Sequence, residues 1–188
     1  MTSDEAIAAV IDALDALRVP YLLVGALASN LYGVPRSTRD ADFLVVLSEG
    51  DMALIQNQLG SRFHLDPQVH FETVTAKTRY VIHVADLPFR IEFFHLTDDP
   101  FDQERFARRR QWPLLGRRVF VPTPEDVILV KLRWSAALDR PKDAEDIKGV
   151  LAVQGDHLDW DYIHRWCGVH GTRVRLDQLR AAIGGRTT

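Results

Sequence analysis

The segment from residue 23 to residue 44 reads LVGALASNLYGVPRSTRDADFL. It begins inside a short, continuously apolar run at residues 21–24, which is typical of a buried central strand. Gly25 ends this run, and the residues from Ala26 to Tyr32 then predict a short helix. After a polar turn, the run from Asp40 to Leu47 predicts a second strand, rich in Val, Leu and Phe. The segment therefore predicts two strands joined by a short helix, with two acidic residues where the second strand begins.

Asp40 and Asp42 are the candidate metal ligands of this segment. Side chains two positions apart on a strand project to the same face, about 6–7 Å apart along the backbone. Two such carboxylates can share one hard divalent cation, and Mg²⁺ accepts one or two carboxylates together with phosphate oxygens of a substrate. Ionised acids beside the apolar Phe43 and Leu44 would be costly without a cation or hydrogen-bond donors. Taken alone, the pattern also fits a solvated or capping pair of acids.

Gly25 and Glu92 are two further candidates, and each has a plain structural alternative. Glycine lets backbone N–H groups approach a phosphate, and the N-terminus of the short helix adds a favourable dipole. An ordinary turn glycine gives the same pattern. Glu92 lies inside the apolar run FRIEFF at residues 89–94, an unusual place for a residue on a solvent face. It is a candidate third carboxylate, and the alternative is an ion pair with Arg90 on the same face of the strand.

The rest of the chain predicts a β-rich core followed by helices. Thr2 and Glu5 match a capping box for an N-terminal helix, and Ser48 is placed to cap a helix that ends near Leu59. Further strands are predicted at residues 69–75, 79–84 and 89–95, and further helices at 124–138, 142–153 and, as two short ones, within 159–183. We therefore expect an α+β fold, with a mixed β-sheet, flanking helices and a C-terminal helical region. The expected division is a core at residues 1–120 and a helical subdomain at residues 121–188.

Composition narrows the class of protein. The chain has 188 residues, of which 46% are hydrophobic and 26% charged, as in an ordinary globular protein. Its net charge of −3 does not indicate a polyanionic partner. The single cysteine, Cys167, excludes an internal disulfide and a thiolate metal cage. The sequence shows no secretory signal pattern and no apolar run near the ~18 residues that a membrane span needs, so we expect a cytoplasmic protein without a membrane partner.

Six residues of the opening segment match a known pattern at fixed spacing: Gly25, Gly33, Arg36, Thr38, Asp40 and Asp42. The pattern resembles the signature of DNA-polymerase-beta-like nucleotidyltransferases, and most closely that of the AbiEii/AbiGii toxin-type branch. Downstream, Glu92 lies where this family places its third carboxylate. The stretches at residues 131–133 and 140–146 resemble its helical C-terminal part. The resemblance covers roughly residues 5 to 167, and only loosely in the middle.

The resemblance implies a nucleotidyltransferase fold and a set of site residues. Asp40, Asp42 and Glu92 would be both the catalytic residues and the ligands of Mg²⁺ or Mn²⁺. An NTP would be bound by Gly25, Ala26, Ser29, Arg36, Thr38 and Lys131. Ala26 departs from the family pattern, which usually has a second glycine or serine there, but it keeps the backbone N–H.

Two of these nucleotide-binding candidates have structural alternatives. Arg36 would neutralise phosphate charge, and the alternative is an ion pair that holds the loop. Lys131 would contact phosphate, and the alternative is a surface lysine whose aliphatic stem packs along its helix.

The implied reaction moves an NMP from an NTP onto an acceptor hydroxyl and releases pyrophosphate. An RNA or tRNA end, or a protein, is the favoured acceptor, in a toxin–antitoxin setting with a possible cognate antitoxin. A run of arginines interleaved with Phe106 and Trp112 supports RNA: Arg105, Arg108, Arg109, Arg110, Arg117 and Arg118. The alternative for this run is a solvated helix end and hairpin. The alternatives are an antibiotic-type small-molecule nucleotidyltransferase and a non-catalytic nucleotide-binding module. A D-x-D glycosyltransferase is disfavoured because the aspartates come so early in the chain.

Overall fold

The computed structural model describes residues 1–184, which form two compact units. The first unit consists of Met1–Leu27 and Ser37–Pro122. The second consists of Ala28–Arg36 and the chain from Thr123 onward. The predicted division into a core and a helical subdomain stays a prediction, because a compact unit need not be a domain that folds alone.

A six-stranded mixed sheet organises the first unit. The strand bounds are β1 Tyr21–Val24, β2 Asp40–Val45, β3 Phe63–Leu65, β4 His70–Glu72, β5 Lys77–Val84 and β6 Arg90–His95. These strands follow the order β1-β2-β6-β5-β3, and β4 pairs with β5 beside that path. The pairing of β2 with β6 is parallel, and the other pairings in the sheet are antiparallel. The predicted strand at residues 69–75 is thus shortened to β4, and β3 is a strand that the sequence patterns did not indicate.

Helices and one hairpin complete the first unit. They are α1 Ser3–Ala16, α3 Asp51–Leu59, α4 Pro100–Ala107 and the hairpin β7 Arg110–Leu114 with β8 Arg117–Val121. Helix α2 Gly25–Tyr32 begins in this unit. The capping box of Thr2 and Glu5 is confirmed. The predicted cap at Ser48 is wrong: Gly50 is the N-cap residue, and the Asp51 carboxylate accepts a hydrogen bond from the Ser48 N–H at 2.6 Å.

The two faces of the central strands differ in character. One face carries Phe43 of β2 and Phe93 of β6, which are fully buried and stack with ring centroids 5.7 Å apart. Tyr21 of β1 meets Phe43 edge-on at 6.0 Å. The opposite face carries the alternate residues, which include Asp42 and Glu92. Aromatic packing on one face therefore fixes which side chains the other face presents.

The second unit is helical. Helix α5 Pro124–Leu138 starts at Thr123, whose hydroxyl accepts a hydrogen bond from the Asp126 N–H, as the Thr-Pro-Glu-Asp sequence predicts. It is followed by α6 Pro141–Gln154, a short 3₁₀ helix at Gly155–His157, α7 Trp160–His170 and α8 Arg173–Gly184. These agree with the helices predicted from the sequence. Across both units, no helix within residues 1–184 is long and apolar enough to cross a membrane.

A buried ionic cluster links the sheet to α4 in the first unit. The Asp102 carboxylate lies 2.5 Å from Lys77 Nζ and accepts a hydrogen bond from Arg105 Nε at 2.9 Å. All three residues are almost fully buried. Burial opposes the ionised form of Asp102, but the charges of Arg105 and Lys77 outweigh it and hold the pKa of this carboxyl below its ordinary value. A lowered pKa stabilises the folded state above the unfolded carboxyl value of about 3.9, and this contribution is lost as the pH falls below that value.

We predict that Asp102→Asn lowers the free energy of unfolding by about 3–5 kcal/mol at pH 7, because it leaves two buried cations without their carboxylate. As the pH is lowered from 5, the free energy of unfolding of the variant should also fall less than that of the wild type, because the Asp102 carboxyl no longer titrates. Urea unfolding across this pH range measures both effects. The exposed Asp98→Asn is the matched control, and a stability change as small as that of the control would contradict the prediction.

Candidate active site

The three predicted acids lie side by side on one face of the sheet. Asp40 and Asp42 are on β2, and Glu92 on β6 is the register partner of Asp42. Partnered residues of neighbouring strands project to the same face, with backbones about 4.8 Å apart, while Asp40 and Asp42 are about 6–7 Å apart along β2. Glu92 is buried, and both aspartates are half-buried. The strand pairing therefore gathers three carboxylates from two distant parts of the chain.

Gly25 lies directly against Asp42. Val24, the last residue of β1, is the register partner of Asp42, so the chain turns into α2 beside that carboxylate. Gly25 has φ +65°, and a Cβ added to it would lie 1.8 Å from Asp42 Oδ2. No other residue fits that space, because every one carries a Cβ. Ala26 follows in the first turn of α2 and is buried.

Thr38 holds Asp40 in place. Its hydroxyl donates a hydrogen bond of 2.5 Å to Asp40 Oδ1. The sequence predicted Thr38 as a nucleotide-binding residue, and that role stays a prediction. The structure adds a hydrogen bond that orients the carboxylate at the start of β2.

Glu92 pairs with two arginines. Arg79 on β5 donates a hydrogen bond from Nη1 to Glu92 Oε2 at 3.0 Å. Arg90 Nη2 lies 3.6 Å from Glu92 Oε1 and 3.9 Å from Asp40 Oδ2. The ion pair with Arg90, which the sequence left open as an alternative, is therefore present. The sequence did not indicate Arg79, because its linear pattern does not tell which strand lies next to β6.

The second unit holds Ser29, Arg36 and Lys131. Ser29 is buried in α2. Arg36 forms a bidentate pair with Asp146, at 2.7 and 2.8 Å, which agrees with the structural alternative for this residue. Lys131 Nζ lies 2.6 Å from Asp146 and 2.9 Å from Asp143. Whether Arg36 or Lys131 also contacts a nucleotide stays a prediction.

This network keeps Asp146 ionised. Burial opposes the charge on this carboxyl, but the hydrogen bond from Arg36 and the charge of Lys131 outweigh burial and hold its pKa below the ordinary value. Lys131 is itself buried, so it is not the surface lysine that the sequence allowed as its alternative.

The arginine run divides between internal and exposed positions. Arg105 is buried against Asp102, Arg117 pairs with Asp12 at 2.6 Å, and the guanidinium of Arg109 stacks on a phenylalanine ring 4.3 Å away. Arg110 and Arg118 are exposed on the hairpin. Arg105, Arg109 and Arg117 are thus engaged within the first unit, which reduces the cationic surface that the sequence suggested.

Comparison with known proteins identifies the fold. No protein-family model and no curated protein sequence matches this chain. Solved structures do. The antibiotic-resistance factor ANT(2'')-Ia is 16% identical, with a TM-score of 0.59 over 94% of this chain and 95% of that chain. An antigenic nucleotidyltransferase-like protein from Paracoccidioides brasiliensis is 16% identical, with a TM-score of 0.55 over 95% and 92%. The lincosamide antibiotic adenylyltransferase LnuA, with lincomycin bound, is 15% identical, with a TM-score of 0.53 over 81% and 98%.

The fold is that of the nucleotidyltransferases. The predicted fold class is therefore confirmed. The TM-scores of 0.59 and 0.53 show this likeness of fold at identities of 15–16%. Membership of the AbiEii/AbiGii branch stays a prediction.

The three acids supply carboxylate oxygens, the type of ligand that a hard divalent cation takes. Within residues 1–184, no three Asp, Glu, His or Cys side chains already converge as a metal site. Glu92 is held by the two arginines instead. The donor set is nevertheless suitable, because three carboxylates share one face of two adjacent strands. The missing Cβ of Gly25 also leaves room for the Asp42 carboxylate, which lies directly against this turn.

We predict that Gly25→Ala abolishes metal-dependent nucleotide binding, because the added methyl group displaces the Asp42 carboxylate. Titration of a fluorescent NTP analogue with Mg²⁺ measures this. Gly116→Ala is the matched control: Gly116 has a similar φ of +73°, but a Cβ there meets nothing within 4 Å. The control separates backbone strain from the clash. Undiminished binding by Gly25→Ala would show that the close approach to Asp42 has no part in the site.

Proposed function

We propose that this protein is a metal-dependent nucleotidyltransferase that transfers an NMP from an NTP onto an acceptor hydroxyl and releases pyrophosphate. The observation that carries the proposal is the row of carboxylates from Asp40, Asp42 and Glu92 beside the Gly25 turn. The nucleotidyltransferase fold supports it. A cytoplasmic location, where NTPs and Mg²⁺ are available, is part of the proposal.

In this proposal each residue has a separate task. Asp40, Asp42 and Glu92 would hold the cation, and the Thr38 hydroxyl orients the Asp40 carboxylate through its hydrogen bond. The backbone N–H groups of Gly25 and Ala26, at the first turn of α2, donate to phosphate oxygens and add the positive end of the helix dipole. Mg²⁺, when bound, supplies charge neutralisation for the triphosphate and activates the acceptor hydroxyl. Positioning and electrostatics then account for most of the rate.

The chemical step is a substitution at the α-phosphorus of the NTP. A bond forms between the acceptor oxygen and this phosphorus, and the bond to the bridging oxygen of the β-phosphate breaks. The electron pair leaves with pyrophosphate, and the hydroxyl proton passes to a neighbouring base or to water. Ser29, Arg36 and Lys131 remain proposed nucleotide-binding residues.

We predict that the wild-type protein transfers label from an α-labelled NTP to an acceptor, and that Asp42→Asn lowers the rate more than about a hundredfold by removing a metal ligand. Thermal unfolding confirms that the variant is folded. Asp98→Asn, an exposed acid of the same unit, should keep full activity. Full activity of Asp42→Asn would overturn the site assignment. A lack of transfer to every acceptor, in the presence of Mg²⁺ and each NTP, would overturn the function.

Two classes of acceptor have specific support. The exposed Arg110 and Arg118, with the partly exposed Trp112 on the same hairpin, support an RNA or tRNA end, in the toxin–antitoxin setting that the sequence resemblance suggests. A protein acceptor and a cognate antitoxin belong to the same setting. The second candidate is a small antibiotic-like molecule. It is supported by the structural likeness to an antibiotic-resistance factor and to a lincosamide adenylyltransferase.

The double variant Arg110→Gln/Arg118→Gln distinguishes these acceptors. If RNA is the acceptor, we predict that the variant loses about tenfold or more in RNA labelling and depends less steeply on salt, since two phosphate contacts are removed. Labelling of aminoglycosides or lincosamides should be unchanged by the same variant. Assays with total RNA, lysate protein and these antibiotics in parallel give the readout. Label on an antibiotic and none on RNA or protein would contradict the toxin-type acceptor.

A further inference from the structure

Two guanidinium groups occupy the carboxylate oxygens that a cation would need. Arg79 bonds Glu92 Oε2, and Arg90 lies against Glu92 Oε1 and Asp40 Oδ2. With Asp42, the cluster contains three negative and two positive charges, and a single net negative charge remains. This cluster therefore attracts a free divalent cation far less strongly than three unpaired carboxylates would.

The two arginines are held differently. Arg79 makes the shorter contact, at 3.0 Å, and its side chain is 31% exposed. Its Nε is a buried donor without a hydrogen-bond acceptor. Arg90 is 50% exposed, and its contacts of 3.6 and 3.9 Å are long for charge-assisted hydrogen bonds. Arg90 is therefore the partner that can exchange its carboxylates for another anion, while Arg79 keeps Glu92 in place.

A triphosphate is an anion of the required kind. Guanidinium groups bind phosphate oxygens in a bidentate manner, and each such pair is stronger than a loose contact with a carboxylate. When Arg90 moves to a phosphate, its positive charge leaves Asp40 and Glu92, and these carboxylates become available to a cation. Cation and nucleotide then favour each other at the site, beyond their direct contact in solution.

We propose that Arg90 makes cation binding at Asp40, Asp42 and Glu92 depend on the nucleotide, so that the cation is held firmly only when a triphosphate draws Arg90 away. This inference rests on the proposed nucleotidyl-transfer function of the same residues. Because coupling between two ligands is reciprocal, the nucleotide also binds more tightly when the cation is present.

The test uses Mn²⁺ as the probe cation and an NTP analogue with a methylene group between the α- and β-phosphates. Electron paramagnetic resonance measures the Mn²⁺ affinity of the full-length protein with and without the analogue, corrected for Mn²⁺ bound to the analogue in solution. For Arg90→Met we expect Mn²⁺ alone to bind about tenfold more tightly than to the wild type, within the usual range of coupling factors. The analogue should then increase the Mn²⁺ affinity of this variant by a smaller factor than it increases that of the wild type.

Two further variants sharpen the result. Arg90→Lys keeps the positive charge but not the bidentate geometry. Mn²⁺ alone should therefore bind to this variant as weakly as to the wild type. The analogue should increase the Mn²⁺ affinity of this variant by a smaller factor than in the wild type. Arg62→Met removes an exposed arginine that forms no part of this cluster, and it should leave both affinities unchanged. Thermal unfolding confirms that each variant is folded.

The outcomes separate this proposal from the function on which it rests. If Arg90→Met and the wild type bind Mn²⁺ alone equally well, the proposal is wrong, while transfer that is lost in Asp42→Asn still supports the function. If no form of the protein binds Mn²⁺, with or without the analogue, both the metal site and its dependence on Arg90 are rejected.

Discussion

The parallel pairing of β2 with β6 is the constraint on which the site depends. This pairing makes Glu92 the neighbour of Asp42, and the antiparallel pairing of β1 on the other side of β2 brings the Gly25 turn to the same carboxylate. On the opposite face, the stacked rings of Phe43 and Phe93 lock the register. A slip of one residue would move these rings to the face of the acids and the acids to the face of the rings. The hydrophobic core and the row of carboxylates are therefore two sides of one arrangement.

Three of the buried acids, Asp102, Asp146 and Glu92, pair with cations in two different ways. Asp102 and Asp146 lie in closed clusters, each with a buried lysine and an arginine. These cations keep the two carboxyls ionised, so the stability that the clusters contribute is lost at acidic pH. Glu92 is also buried and paired, but one of its partners is half exposed and reaches a second acid. The closed clusters hold the fold together. The cluster at Glu92 is the open one of these three, because the side chain of Arg90 is 50% exposed.

Local patterns in the sequence were sufficient for much of the fold. The capping box at Thr2, the Thr123 start of α5 and the strand over Asp40 depend on neighbouring residues, and each lies where it was predicted. The cap of α3 was missed because the Asp51 carboxylate bonds back to the Ser48 N–H, which a list of preferred cap residues does not reveal. The short strand β3 is stabilised by its pairing with β5 rather than by its own three residues.

Among the site residues too, local patterns in the sequence indicated some features, and long-range pairing decided the others. Asp40, Asp42 and Gly25 lie in one short segment, so their spacing was informative, although their role in binding a metal and a nucleotide stays a prediction. Arg79, one of the two partners of Glu92, and the partners of Arg36 and Lys131 lie on other elements, and long-range pairing decides them. Arg79 reaches Glu92 across strands, and Asp146 reaches Arg36 across 110 positions of the chain. No periodicity or motif within one element contains that information.

The order of strands also has a consequence for how the protein is made. Strand β6 emerges after β3, β4 and β5, yet it must insert beside β2. Until then, β2 has a partner on one edge only, and its acids lie along an open edge. Pairings between distant segments form slowly because loop closure precedes any gain in contact energy. During synthesis the carboxylates thus come together only after the chain has grown past β6, so a nascent chain that ends before that strand lacks the third acid and has an unpaired strand edge.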